Sequence, residues 1–87
     1  MNSTVKVKLN SIDSAKDFSK VCEKFDEDVD YVIGRYVIDA KSLLGILSTT
    51  LGKIAHVTIH SKDKKIVEQF LNSIYRWIVE ENIWEFG

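Results

Sequence analysis

The apolar residues of this 87-residue chain switch repeatedly between two spacings, every second residue and every third or fourth. Each segment is short, so the chain can only be one small domain that mixes strands with amphipathic helices. Val5, Val7 and Leu9 alternate with Lys6 and Lys8, which predicts a strand with one wet face. Ser11, Asp13 and Ser14 are all good helix N-caps, and Ser14 to Asp17 has capping-box spacing with Asp in the usual Glu position. Phe18, Val21, Cys22 and Phe25 then fall on one helical face, with Lys16, Lys20, Glu23 and Lys24 opposite. The acidic run Asp26-Glu27-Asp28 ends this helix and turns the chain.

Val29, Tyr31 and Ile33 predict a second strand, and Tyr36, Val37 and Ile38 a third. Gly34-Arg35 between them suits a tight hairpin turn, because glycine tolerates positive φ. Asp39 can cap the next helix, whose apolar residues are Leu43, Leu44, Ile46, Leu47 and Leu51, with Gly52 as its stop signal. Ala55, Val57 and Ile59 alternate with Ile54, His56, Thr58 and His60 in a fourth strand. Ser61 and Asp63 offer caps for a last helix whose apolar face runs from Ile66 through Val67, Phe70, Leu71, Ile74 and Trp77 to Ile78. The order is βαββαβα. It predicts an open-faced α+β sandwich, a four-stranded antiparallel sheet with three helices on one face. Lys6, Lys8, Asp30, His56, Thr58 and His60 would decorate the bare face. Residues 1–80 form the domain and 81–87 read as a C-terminal extension, in which Trp84 and Phe86 fold back over the last helix or, less simply, anchor a dimer.

Composition narrows the function. Twelve Lys and Arg against thirteen Asp and Glu leave a net charge of −1, which argues against a nucleic-acid protein. A lone cysteine, Cys22, rules out an internal disulfide and a cysteine zinc cage, and its place on the apolar face of the first helix points to a core thiol rather than a nucleophile. No apolar run approaches membrane-spanning length and no signal-peptide pattern opens the chain, so a cytoplasmic protein with no membrane insertion is expected. His56 and His60 share a strand face about 13 Å apart, too far to hold one metal ion. The four glycines are scattered and make no phosphate-cradling loop, and the acidic cluster 26–30 lacks calcium-loop spacing. No catalytic constellation, metal site or cofactor site emerges from the residues themselves, and the chain reads as a non-enzyme.

One segment is more specific. Asp39-Ala40-Lys41-Ser42-Leu43-Leu44-Gly45-Ile46-Leu47-Ser48 closely resembles the stretch around the regulatory serine of HPr, the histidine-containing phosphocarrier of the bacterial phosphoenolpyruvate-dependent sugar phosphotransferase system. The resemblance extends over nearly the whole chain. Phe18, Cys22 and Phe25 match apolar positions of that family's first helix, Ala55-His56-Val57-Thr58-Ile59 resembles its fourth strand, and βαββαβα is its fold order. By this resemblance a kinase would phosphorylate Ser42, and Leu43, Leu44 and Leu47 would form an apolar patch for docking other proteins of the phosphotransferase or carbon-regulation type. A phosphate on Ser42, read as the third residue of a helix capped by Asp39, would meet exposed N–H groups and the positive end of the helix dipole.

The chain departs from the family where the phosphocarrier does its chemistry. The family has a Gly-Leu-His-x-Arg-Pro type motif just before the first helix, whereas this chain reads Asn10-Ser11-Ile12-Asp13-Ser14-Ala15-Lys16-Asp17. Counting back from Ser42 without gaps puts Ser11 at the histidine and Asp13 at the arginine; matching Ile12 to the leucine puts Asp13 at the histidine. Neither restores an imidazole, and Asp13 would repel phosphate. Ser11, Ile12, Asp13 and Ser14 therefore read as a degenerate acceptor region. The expectation is a regulatory docking module without phosphohistidine transfer, set against two alternatives: a carrier with a displaced acceptor such as His60 or Asp13, and an assembly module that kept only the fold.

Overall fold

In the computed structural model, which describes residues 3–79, the elements follow in the order β1 (Ser3–Lys8), α1 (Ile12–Glu23), β2 (Val29–Ile33), β3 (Tyr36–Asp39), α2 (Leu43–Leu47), β4 (Ile54–Ile59) and α3 (Lys64–Ser73), closed by a 3-10 turn at Tyr75–Trp77. The strands form one sheet in the order β1-β4-β2-β3, with every neighbouring pair antiparallel. This is the open-faced α+β sandwich that the alternating periods call for. Val7, Val29, Tyr31, Ala55, Val57 and Ile59 line the buried sheet face against Phe18 and Cys22 of α1, Ile46 of α2 and Phe70 of α3. On the bare face the register places Thr4, Thr58, Asp30 and Asp39 in one row, and Lys6, His56, Val32 and Val37 in the next. The hydroxyls of Thr4 and Thr58 sit 2.7 Å apart across β1 and β4.

Aromatic contacts fix the first helix. Phe18 meets Tyr31 with ring centroids 6.0 Å apart and Trp77 edge-on at 5.5 Å. Phe25 lies just past the end of α1 rather than on its face, and packs edge-on against Phe70 at 5.3 Å. The Tyr31 hydroxyl is buried with no hydrogen-bond partner among the described residues, a local cost on the order of 1–3 kcal/mol accepted inside the aromatic cluster.

Of the three caps the sequence offers for α1, Ser11 is the one used: it is extended at φ −149°, and its hydroxyl accepts from the N–H of Ser14 at 3.0 Å. Two other local expectations are corrected. Asp39 does not cap α2; it ends β3, and its carboxylate accepts from Lys41 N–H at 2.9 Å, which turns the chain so that Ser42 becomes the cap. The last helix stops at Ser73 rather than running to Ile78. Trp77 is carried in the 3-10 turn, and Ile78 bridges to Val7, with the Val79 N–H donating to the Lys6 carbonyl at 2.8 Å. Trp77 docks on Phe18 and Ile78 pairs with β1 in place of a further helical turn. The residues 81–87 extension, with Trp84 and Phe86, lies outside the described residues.

Gly45 is where α2 meets the sheet. A Cβ added there would stand 2.8 Å from Cγ2 of Ile38, a branched side chain held close to its own backbone. Gly45→Ala therefore overpacks the contact despite alanine's higher helix propensity. It is expected to lower the unfolding free energy by about 1–3 kcal/mol, measured by urea denaturation with an unchanged slope.

Candidate functional site

The entrance to α1 is built from Ser11 to Ser14. Leu9 is buried just before it, which brings the chain out of the core and exposes Asn10, Ser11, Ile12 and Asp13. Besides accepting from the Ser14 N–H, the Ser11 hydroxyl donates to the Ser14 hydroxyl at 3.1 Å, and the Ser11 carbonyl accepts from the Ala15 N–H at 3.0 Å. Serine here is spent on holding the helix end. Asp13 puts the chain's own negative charge in the first turn, where the helix dipole favours it and where an incoming phosphate would meet it. Ile12 stands 60% exposed beside them.

The second element follows from the turn after β3. The Lys41 carbonyl accepts from the buried Ser19 hydroxyl of α1 at 3.0 Å, and the N–H of Gly52, after α2, donates to the Leu9 carbonyl at 2.7 Å. These ties run α2 back along α1, so that its far end lies beside the α1 entrance. Ser42 is half-buried and its hydroxyl accepts from the Gly45 N–H at 3.1 Å. It stands at the cap rather than in the first turn, because the Asp39 turn delays the helix by three residues. Of the three leucines expected to dock partners, Leu44 is 81% exposed, while Leu43 and Leu47 are half-buried against the core. Ile46 is fully buried and anchors the helix. The structure thus brings Ser11–Ser14 and the α2 leucines to one side of the molecule, with Ser42 at the start of α2.

Neither histidine belongs to that side. His56 projects from the middle of β4 onto the bare sheet face, across the sheet from α1. His60 lies one residue past β4, not within it; its N–H donates to the Asp28 carbonyl at 2.9 Å and its Nε2 sits 2.7 Å from Asp30 Oδ2. A shallow groove of about 500 Å³ there is lined by Asp28, Asp30, Asp39 and His60 with Val37 and Ile38. The sequence gives no sign of the His60–Asp30 contact, since it joins residues 30 apart through the sheet register; only the bare-face position of Asp30 is legible. Among the described residues no group of three or more His, Cys, Asp or Glu could hold a metal ion, and no helix is long and apolar enough to cross a membrane.

With the geometry set out, comparison with known proteins adds the fold. No family model and no curated sequence matches the chain. Solved structures do. HPr-C-His from Thermoanaerobacter tengcongensis superposes with a TM-score of 0.66 at 18% identity, covering 94% of this chain and 99% of that one. The phosphocarrier protein HPr from Bacillus anthracis gives 0.62 at 22% identity over 85% of this chain and 95% of its own. The histidine-containing phosphocarrier protein of a mycoplasma gives 0.63 at 13% identity over 85% and 89%. The fold is that of HPr. Strand order, the three helices and the relation of the α1 entrance to α2 all follow from it.

Cys22 takes no part in this surface. It is fully buried beside Phe18, and burial pushes its thiol up to about 12, against a smaller opposing pull from the charge of Lys41. Because the folded state holds the thiol neutral, its share of stability is complete below the unfolded value of about 9 and is lost as pH rises from there through about 12. At neutral pH Cys22 is expected to resist iodoacetamide in the native protein and to react fully in denaturant, as read by mass spectrometry; rapid native labelling would contradict its burial.

Proposed function

We propose that this chain is an HPr-like docking protein of the phosphotransferase or carbon-regulation type, cytoplasmic and non-enzymatic, which does not carry phosphohistidine. The observation that carries the reading is the α1 entrance, where Ser11 caps the helix and Asp13 occupies its first turn without an imidazole or a guanidinium. A phosphoester on serine is too stable for onward transfer, and residues 10–17 include no arginine to make the charge-assisted contacts that hold a transferring phosphate. The displaced-acceptor alternative is weakened by the surroundings of His60, since Asp28, Asp30 and Asp39 make its groove acidic and hostile to a phosphoryl group. What remains of the family surface is apolar: Ile12, Leu44 and the half-buried Leu43 and Leu47, suited to other proteins rather than to nucleic acid or membrane.

Ser42 is the regulatory switch in this reading. A phosphate on its hydroxyl adds up to two negative charges within a few residues of Leu44, which desolvates poorly against an apolar partner. Incubated with ATP and an HPr serine kinase, the chain is expected to take up one acid-stable phosphate. Ser42→Asn keeps a capping oxygen and removes the esterifiable hydroxyl, so it should fold normally and take up none. No incorporation into the wild-type chain contradicts the switch and leaves an assembly module that kept only the fold.

A further inference from the structure

The two edges of the sheet are treated differently. The β1 edge is covered, because Ile78 bridges to Val7 and the Val79 N–H donates to the Lys6 carbonyl. The β3 edge has no such cover among the described residues, and it carries two large exposed apolar residues, Tyr36 at 68% and Val37 at 65%. The Ala40 N–H donates to the Val29 carbonyl at 2.9 Å, which fixes the alternation of the β2–β3 ladder. Tyr31 with Ile38 and Ile33 with Tyr36 are then the hydrogen-bonded pairs, and the N–H and C=O of Val37 point out of the sheet.

Charge adds a second observation. Asp30 and Asp39 are directly opposed across β2 and β3 on the bare face, an unfavourable like-charge pair. His60 lies against Asp30 at 2.7 Å. The Asp39 carboxylate accepts from the Lys41 N–H and has no cationic side chain against it among the described residues. Arg35, in the turn just before β3, likewise makes no ion pair among the described residues. The edge therefore reads Arg35-Tyr36-Val37-Ile38-Asp39, a cation and an anion placed symmetrically about Val37.

From this we infer that the β3 edge pairs with the β3 edge of a second copy of the chain, antiparallel about a two-fold axis through Val37. In that register the two Val37 residues exchange both outward backbone hydrogen bonds. Arg35 of each copy faces Asp39 of the other and supplies the cationic side chain that Asp39 lacks among the described residues. Val37 meets Val37 on the bare face, flanked by Val32 of each copy. On the helix face Tyr36 of the second copy stands opposite Ile38, which lines an open groove of about 470 Å³ with Ile33, Thr49 and Lys53. The contact is isologous and closed, so it makes a dimer with one continuous sheet and no further growth. A four-residue strand offers less surface than the ~1,200 Å² of stable interfaces, so the dimer is weak and concentration-dependent.

Sedimentation velocity over a range of concentrations up to about 1 mM tests this on the full chain. The wild type is expected to pass from monomer to dimer. Val37→Lys, at an exposed position, and Arg35→Asp should each raise the midpoint by at least about tenfold. A mixture of Arg35→Asp with Asp39→Lys should associate near the wild-type midpoint, since each position 35 then again faces an opposite charge at position 39. A wild type that stays monomeric throughout, leaving the edge to an extended segment of another protein, overturns the inference. So does a dimer whose midpoint neither Val37→Lys nor Arg35→Asp moves.

Discussion

The placement of α1 rests on Phe18. Its ring sits between Tyr31 of β2 and Trp77 of the closing turn, and that one insertion holds helix, sheet and C-terminal segment together. Such aromatic pairs add about 0.5–1.5 kcal/mol each beyond the apolar area they bury. The surface consequence is larger than the energy. With the middle of α1 pinned, Ser11 comes out of the core at a defined angle, and the backbone tie from Gly52 to Leu9 sets the end of α2 beside it. Arg76, stacked over Trp77 with its guanidinium 4.2 Å from the ring centroid and 3.8 Å from the Asp17 carboxylate, strengthens the same junction from outside.

That geometry is the one on which HPr-fold proteins are built, and this chain fills it with different chemistry. The α1 entrance is self-sufficient: its cap is a serine whose hydroxyl is engaged, and its first-turn charge is negative. Both imidazoles are elsewhere, His56 across the sheet and His60 tied to Asp28 and Asp30. Under the proposed function this entrance presents side chains to another protein, and Leu44, exposed on α2, belongs to the same recognition surface.

Much of this was legible in the sequence. Strands with period two and helices with a clear apolar face declare themselves locally, so the order of elements and the bare face of the sheet follow from Val5-Val7, Tyr31-Ile33, Val57-Ile59 and their polar neighbours. Ser11 was legible as one of three possible caps. The choice among them was not, because Ser11, Asp13 and Ser14 are equivalent as isolated residues and the choice is made by how deeply Leu9 is buried. Asp39 and Ser42 present the same ambiguity, decided by the turn in which the Asp39 carboxylate accepts from the Lys41 N–H. The end of α3 carries no Gly or Pro signal; it is set by tertiary contacts of Trp77 and Ile78 that periodicity reads as more helix. The contact of His60 with Asp30 depends on strand register, which no local pattern encodes.

The central claim of the proposed function is that this chain does not carry a labile phosphohistidine. Its most direct test is phosphorus NMR of the purified chain after incubation with phosphoenolpyruvate and the first enzyme of the phosphotransferase system, with an authentic HPr alongside. The authentic protein should show a phosphoramidate resonance that disappears on mild acid treatment, and this chain should show none. A phosphoramidate on this chain, mapped to His56 or His60, would contradict the account.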